Sequence, residues 1–326
     1  MDGRSGRGNG LPSDPALPVF AAIERDGIDA TLAALGLAGP YTGVRVLKHH
    51  PGRRCTFALR AAGRPLVAKA YRRSVAEQVA LFVALARHGL ASETPSSAPA
   101  LVASDLDLRI VVLARLDGAH GEVLLARGAR VGVLAGDWLQ RQWAAPIDLG
   151  LPYGPAPFLA RVERDCAPIV AASPRLGAAA VALVAALAEH PPPERDPVLV
   201  HGSFSVNHVI DLGAGAGIID WDGFVQGPRE LDAATFLATL ARVAGESPAL
   251  AAAGALAAAA FRDAVMAGLD PDALAWYEAG ARIRNARHLC VLRPADWEAR
   301  AERLLAAAWT RPAADRSPDL ATGGAR

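Results

Sequence analysis

The sequence predicts an α+β protein of two lobes, a small mixed β/α lobe followed by a larger, mainly helical one. Three observations predict it. Short alternating apolar runs separated by Pro51-Gly52 and Ala62-Gly63 crowd the first third of the chain, the pattern of strands joined by tight turns. After Gly118 the text becomes rich in alanine and leucine, with apolar residues at helical spacing. One stretch, 197–222, interrupts it with apolar runs too short for helices.

In chain order, residues 1–17 read as a flexible tail without the apolar segment of a secretory leader. Residues 18–116 form the small lobe. Its strands are Val44 to Lys48, Cys55 to Arg60, Leu66 to Tyr71 and Leu108 to Arg115. Between the third and fourth lies a helix. Ser74 with Glu77 three residues on predicts its capping box, Val75, Val79, Phe82, Val83 and Ala86 form its apolar stripe, and Gly89 closes it. Residues 117–310 form the helical lobe, with helices over 119–145, 156–172, 175–189, 229–245, 247–267, 271–293 and 295–309. Residues 311–326 read as a second tail. The stretch 250–261 is too short and alanine-rich to cross a bilayer and reads as a buried helix.

Composition excludes several classes. With 52% hydrophobic and 21% charged residues and a formal net charge of +1 over 326 residues, nothing favours nucleic acid or an acidic membrane as a partner. The three cysteines, Cys55, Cys166 and Cys290, are far apart and odd in number. They read as buried thiols in a reducing, cytoplasmic compartment.

The chemistry-bearing residues cluster in two places. Lys69 lies within the apolar strand Leu66 to Tyr71, where an ammonium needs either a task or an exit to water. Glu77 is either its ion-pair partner or the capping partner of Ser74. Arg53 and Arg54, at the Pro51-Gly52 turn, are either phosphate contacts or a solvated turn. Further on, Val198-Leu199-Val200 runs into His201, Ser203, Ser205, Asn207 and His208, a loop whose middle holds no carboxylate. The run Gly217-Ile218-Ile219 then ends in Asp220-Trp221-Asp222. A carboxylate ending a buried strand suits Mg²⁺, which takes one or two protein carboxylates plus phosphate oxygens. Gly213 to Gly217 has strands on both sides and so reads as a hairpin turn rather than a nucleotide loop. His201 reads as a loop-ordering residue, and Asp232 as an anchor for the start of a helix.

These segments together resemble the aminoglycoside phosphotransferase and choline kinase-like family, over residues 40–310. The resemblance rests on His201-Gly202-Ser203-Phe204-Ser205-Val206-Asn207-His208, on Ile218-Ile219-Asp220-Trp221-Asp222, on Gly227-Pro228-Arg229-Glu230-Leu231-Asp232 and on the position of Lys69. It implies a two-lobed protein-kinase-like fold. It also implies Lys69 on the nucleotide phosphates, Asp220 on Mg²⁺, and Leu113 to Leu116 as the hinge beside adenine. ATP, Mg²⁺ and a hydroxyl-bearing small molecule are the implied ligands. Two positions depart from the pattern. Ser203 stands where the family has its catalytic aspartate, and His208 where it has a metal-binding asparagine, with Asn207 one place early. A positioned base contributes ~10²–10⁴-fold, so the resemblance implies an impaired or altered enzyme, with Asp222 as a substitute base. His208 as a ligand would favour Mn²⁺. A nucleotide-binding pseudokinase that regulates or scaffolds a protein partner is the alternative. Arg284, Arg287 and His288 share a helix face, either solvated or set against a neutral or anionic acceptor.

Overall fold

The computed structural model describes residues 11–92 and 95–307; the expected tail 311–326 and residues 1–10 of the expected first tail lie outside them. Residues 11–17 are packed rather than loose. Leu17 is wholly buried, and the Asp14 carboxylate accepts from His49 Nε2 and Gly52 N, both at 2.9 Å. The stretch reads as tail because its anchors, Leu11, Asp14 and Leu17, are few and form no period.

The described residues divide into two compact units that interleave along the sequence. The first takes the chain up to Leu124, with Ala144–Gly150 and Asn207–Gly223; the second takes Leu125–Trp143, Leu151–Val206 and the chain from Phe224. The first unit opens with two short helices, α1 (Pro18–Asp26), which buries Val19, Phe20, Ala22 and Ile23, and α2 (Ile28–Ala34), which buries Thr31 and Leu32. Strands β1 (Tyr41–His50), β2 (Arg54–Ala61) and β3 (Arg64–Tyr71) follow, then α3 (Ala76–Arg87), β4 (Leu101–Asp105) and β5 (Ile110–Ala114). The five strands form one sheet in the order β1-β2-β3-β5-β4. Alternation gives it two unlike faces. Cys55, Phe57, Leu59, Ala68, Ala70, Ile110 and Val112 pack with Val19, Phe20 and Leu32 of the two helices. The opposite face carries Arg54, Thr56, Val67, Lys69 and Leu113. The capping box does not form. The helix begins one residue later than Ser74 allows, with Val75 as its cap, and Ser74 Oγ accepts only a 3.3 Å bond from Ala76 N.

Two further parts complete this unit. β6 (Ala119–His120) and α4 (Gly121–Leu125) occupy the beginning of the helix expected over 119–145, because Gly121 takes φ +57°. β8 (Val209–Asp211) and β9 (Ala216–Ile218) form the hairpin expected around Gly213, which adopts φ +86°, and β6 pairs with β8.

In the second unit, α5 (Arg130–Ala144), α6 (Pro155–Ala172) and α7 (Pro174–Glu189) precede β7 (Val198–Val200). β7 pairs with β10 (Val225–Gly227) rather than within the insert. Then come α8 (Arg229–Ala244), α9 (Pro248–Val265), α10 (Pro271–Leu292) and α11 (Trp297–Ala306). Its core joins Phe158 of α6 to Trp276 and Tyr277 of α10, with an edge-to-face pair at 4.8 Å. α9 is long and apolar enough to cross a membrane by composition. It is not wholly buried: Gly254, Ala257, Phe261 and Val265 are covered, while Leu256 is 60% exposed.

Candidate active site

Lys69 sits mid-strand on β3, paired across to Thr56 of β2 and Val111 of β5. This places its stem among apolar neighbours and only 11% of its side chain in contact with solvent. A lysine this deep needs a counter-charge. It has two, Asp220 Oδ1 and Asp222 Oδ1, each 2.8 Å from Nζ. Both carboxylates come from the segment just after β9. Ile219 N bonds His208 O, Asp220 takes the left-handed conformation at φ +67°, and Trp221, buried, donates its indole N–H to Ile218 O. A non-glycine residue held there signals a constrained position. The bend between a plugged tryptophan and a strand end turns Asp220 toward the sheet.

Asp222 is the more heavily bonded of the two. Arg54 donates to Oδ2, and Tyr71 Oη donates to Oδ1 at 2.7 Å, beside Lys69. Lys69, Arg54, Asp220 and Asp222 are two cations and two anions, a charge-balanced group. At Asp220, burial pushes the carboxyl up, but the charge and hydrogen bond of Lys69, with His208 and Arg54, outweigh it and hold the group well below the usual carboxylate range. Burial, then the charge on Asp222, pushes the Tyr71 phenol well up, so it stays a donor.

The sheet face and the β8–β9 hairpin enclose an open cavity of about 570 Å³. Lys69 and Asp220 lie in its wall, as do Leu113, Leu116, Asn207 and His208. Of the charged residues lining it, Arg45, Lys48, Arg54, Lys69 and Arg115 outnumber Asp117 and Asp220, so the cavity favours an anion. His208 Nε2 lies 3.8 Å from Asp220 Oδ2. Asn207 Oδ1 instead rests over Gly121, where an added Cβ would meet it at 2.9 Å.

The expected residues therefore sort unequally. Lys69, Asp220, Asp222, Arg54, Leu113, Leu116, Asn207 and His208 come together. Lys69 and Asp220 touch rather than facing one another across an open gap. Glu77 does not join them. It is exposed in the first turn of α3, and the Lys69 ammonium is bonded to Asp220 and Asp222 instead. Arg53 is exposed at the β1–β2 turn while its neighbour Arg54 points to Asp222.

In the second unit, Ser203 Oγ lies 3.2 Å from Nδ1 of His201. His201 is wholly buried. The loop is fixed by Asp232, whose oxygens accept from His201 N at 2.6 Å and Gly202 N at 2.9 Å. Gln142 Nε2 adds a third bond at 3.2 Å and also donates to Leu199 O, while Gln142 Oε1 accepts from Trp138 Nε1. Burial pushes the Asp232 carboxyl up while the His201 ring and these donors oppose it. Asp232 thus anchors the His201 loop as well as the start of α8. Its signal was its place in the Gly227 to Asp232 segment at the start of a helix; burial then demands donors for its carboxylate. Gln142 gave no signal, because a glutamine on a helix reads as surface.

A family model described as the phosphotransferase enzyme family matches residues 52–269. No curated protein matches. Solved structures do. A macrolide 2′-phosphotransferase type I is 19% identical, covering 87% of this chain and 98% of its own, with a TM-score of 0.54. A choline/ethanolamine kinase family protein from Mesorhizobium loti is 15% identical, covering 85% and 92%, with a TM-score of 0.54. A thermostable mutant of the aminoglycoside phosphotransferase APH(4)-Ia, in ternary complex with ADP and hygromycin B, is 15% identical, covering 86% and 99%, with a TM-score of 0.57. At these identities the likeness is one of fold.

Proposed function

Because the chain belongs to the phosphotransferase enzyme family, we propose that it transfers the terminal phosphate of ATP to a hydroxyl of a small molecule, by an altered proton path. The observation that carries this is the Lys69–Asp220 contact in the wall of a cation-rich cavity. Lys69 is the group that takes the phosphates, and Leu113 and Leu116 flank the base. The four-charge group is neutral alone, so an incoming polyphosphate needs a cation with it.

The donor set fits Mg²⁺ in part. Among the described residues no three carboxylate, histidine or cysteine side chains converge as a metal site, but a metal that arrives on phosphate needs only one or two protein ligands. Asp220 would be the first, with His208 or Asn207 as second; His208 would favour Mn²⁺. Bound there, the metal would neutralise charge on the phosphate oxygens. Asp220 stays ionised to meet it, and Lys69 must exchange a carboxylate for phosphate.

Ser203 stands at the family's base position. It cannot hold a proton's worth of negative charge as aspartate does, but its hydroxyl can accept the acceptor's proton while passing its own to His201 Nδ1. Asp222, the other substitute base, has both oxygens committed to Arg54, Lys69 and Tyr71, the bonding of an anchor. The nucleotide-binding pseudokinase is the second reading, favoured by the same Ser203 and by the engagement of Lys69 by two carboxylates.

The test is ADP release from Mg-ATP in the presence of a panel of hydroxyl-bearing acceptors, for the parent and for Ser203→Asp. The first reading expects turnover in the parent that rises ~10²–10⁴-fold with the carboxylate restored. Nucleotide binding with no turnover in either protein supports the pseudokinase.

A further inference from the structure

Three arginines of the helical unit converge on one carboxylate. Arg161 and Asp165 lie a turn apart on α6, and Arg284 and Arg287 on α10. Arg161 Nε is 3.4 Å and Arg284 Nε 3.5 Å from Asp165 Oδ2, and Arg287 Nε is 3.3 Å from Oδ1. All three contacts are longer than the roughly 2.7–2.9 Å of a tight charge-assisted bond. All are made through Nε, and the terminal amino groups of Arg284 and Arg287 hydrogen-bond to none of the described residues. Three cations against one anion leave two positive charges uncompensated. The next carboxylate on α10, Glu278, is committed to Arg282 and Arg262.

This group is not a sealed core triad. Asp165 is 7% exposed, but the Arg161 and Arg287 side chains are 46% and 40% exposed, so a ligand can reach the guanidinium groups. Burial disfavours the charge on Arg284; nearby Tyr153 and Asp165 oppose that effect, and Arg161 and Arg287 add to it. A second anion would relieve the imbalance, and the planar fork of arginine matches a carboxylate or phosphate.

We propose that Arg161, Arg284 and Arg287, held ready by Asp165, bind an oxyanion, the carboxylate or phosphate of the small molecule to be phosphorylated. The assignment of that molecule as the acceptor rests on the phosphotransferase reading. The same charges repel a polycationic acceptor.

The test follows thermal midpoint against inorganic phosphate and, in a parallel arm, malonate, at constant ionic strength. A ligand that binds the native state raises the midpoint. The parent should respond to at least one oxyanion. Phosphate alone assigns a phosphate-bearing acceptor, malonate alone a carboxylate-bearing one. Arg287→Gln, a change at the exposed rim, should need about tenfold more anion, the loss of one charge-assisted contact. Asp165→Asn removes the competing carboxylate and should need less. If Asp165→Asn does not fold, Arg287→Gln alone decides. No response in the parent, or an unchanged response in Arg287→Gln, overturns the proposal. Mg-ATP titrated into the same proteins separates the two readings. A nucleotide response without an oxyanion response defeats this site alone. An oxyanion response lost in Arg287→Gln, without a nucleotide response, defeats the phosphotransferase reading and leaves the anion site standing.

Discussion

Lys69 is bonded equally to Asp220 and Asp222, at 2.8 Å each, yet the two carboxylates do different work. Asp222 is held by three donors and ties the segment after β9 to β2 and β3. Asp220 keeps Oδ2 turned to His208 and the cavity. Tyr71→Phe removes one hydrogen bond to the charged Asp222, so it should cost roughly 1.5–3 kcal/mol in chemical denaturation; a change below the error of that measurement would show Asp222 to be loosely held. Part of this was legible in the sequence: a lysine inside an apolar strand and a carboxylate ending another each mark a charged group that needs a partner or a task. The partner of Lys69 was not. Glu77 and Asp222 are both acids within reach on paper, and only the start of α3 at Ala76 and the bend at Asp220 decide between them. The roles of Tyr71 and Arg54 were hidden for the same reason, since a hydroxyl and a guanidinium at strand positions have no sequence mark that distinguishes an inward bond from a solvated one.

Among the elements, the loop after β7 and helix α8 depend on each other. Asp232 takes the backbone donors of His201 and Gly202, so the loop's shape is set from the helix. Asp232→Ala leaves those two backbone donors buried without this acceptor and removes one of the two bonds of Gln142 Nε2, and should destabilise by on the order of 3–5 kcal/mol in denaturant unfolding. Asp232→Asn keeps an acceptor and should cost less; equal losses would mean that the charge matters and the bonds do not. Between α6 and α10, a Cβ at Gly280 would lie 2.4 Å from the Phe158 ring. Gly280→Ala should therefore lower stability by about 1–3 kcal/mol through overpacking, and an unchanged denaturation midpoint would contradict that packing. The long helices and the strands β2, β3 and β5 were readable because period and turn residues agree along them. α1, α2 and β4 were not, being short and set by tertiary burial of a few residues such as Phe20 and Leu32. The division of 119–145 into β6, α4 and α5 turns on Gly121 and on pairing with β8, a partner far away in sequence.

At the scale of the whole molecule, each unit carries its own core and its own charge arrangement: a balanced foursome of Lys69, Arg54, Asp220 and Asp222 in one, and an arginine excess around Asp165 in the other. The pH response follows from the carboxylates. The hydrogen bond from His49 leads the causes that hold Asp14 below its usual value, and Asp220 is lowered further. A lowered carboxyl stabilises fully above the unfolded value of about 4 and loses that contribution as pH falls through and below it. The thermal midpoint should drop on acidification below about pH 4, and Asp14→Asn should flatten the drop; a steeper drop in the variant would reverse the sign assigned to Asp14. The three buried cysteines are silent here, since burial pushes the Cys55 and Cys166 thiols up to about 11. The central claim, that the cavity beside Lys69 and Asp220 holds a metal-bound nucleotide, is tested most directly by the thermal midpoint with and without ATP and Mg²⁺, in the parent and in Asp220→Asn. The account predicts a rise in the parent that requires the metal and is lost in the variant. A parent that does not respond, or an Asp220→Asn protein whose metal-dependent rise is intact, would contradict it.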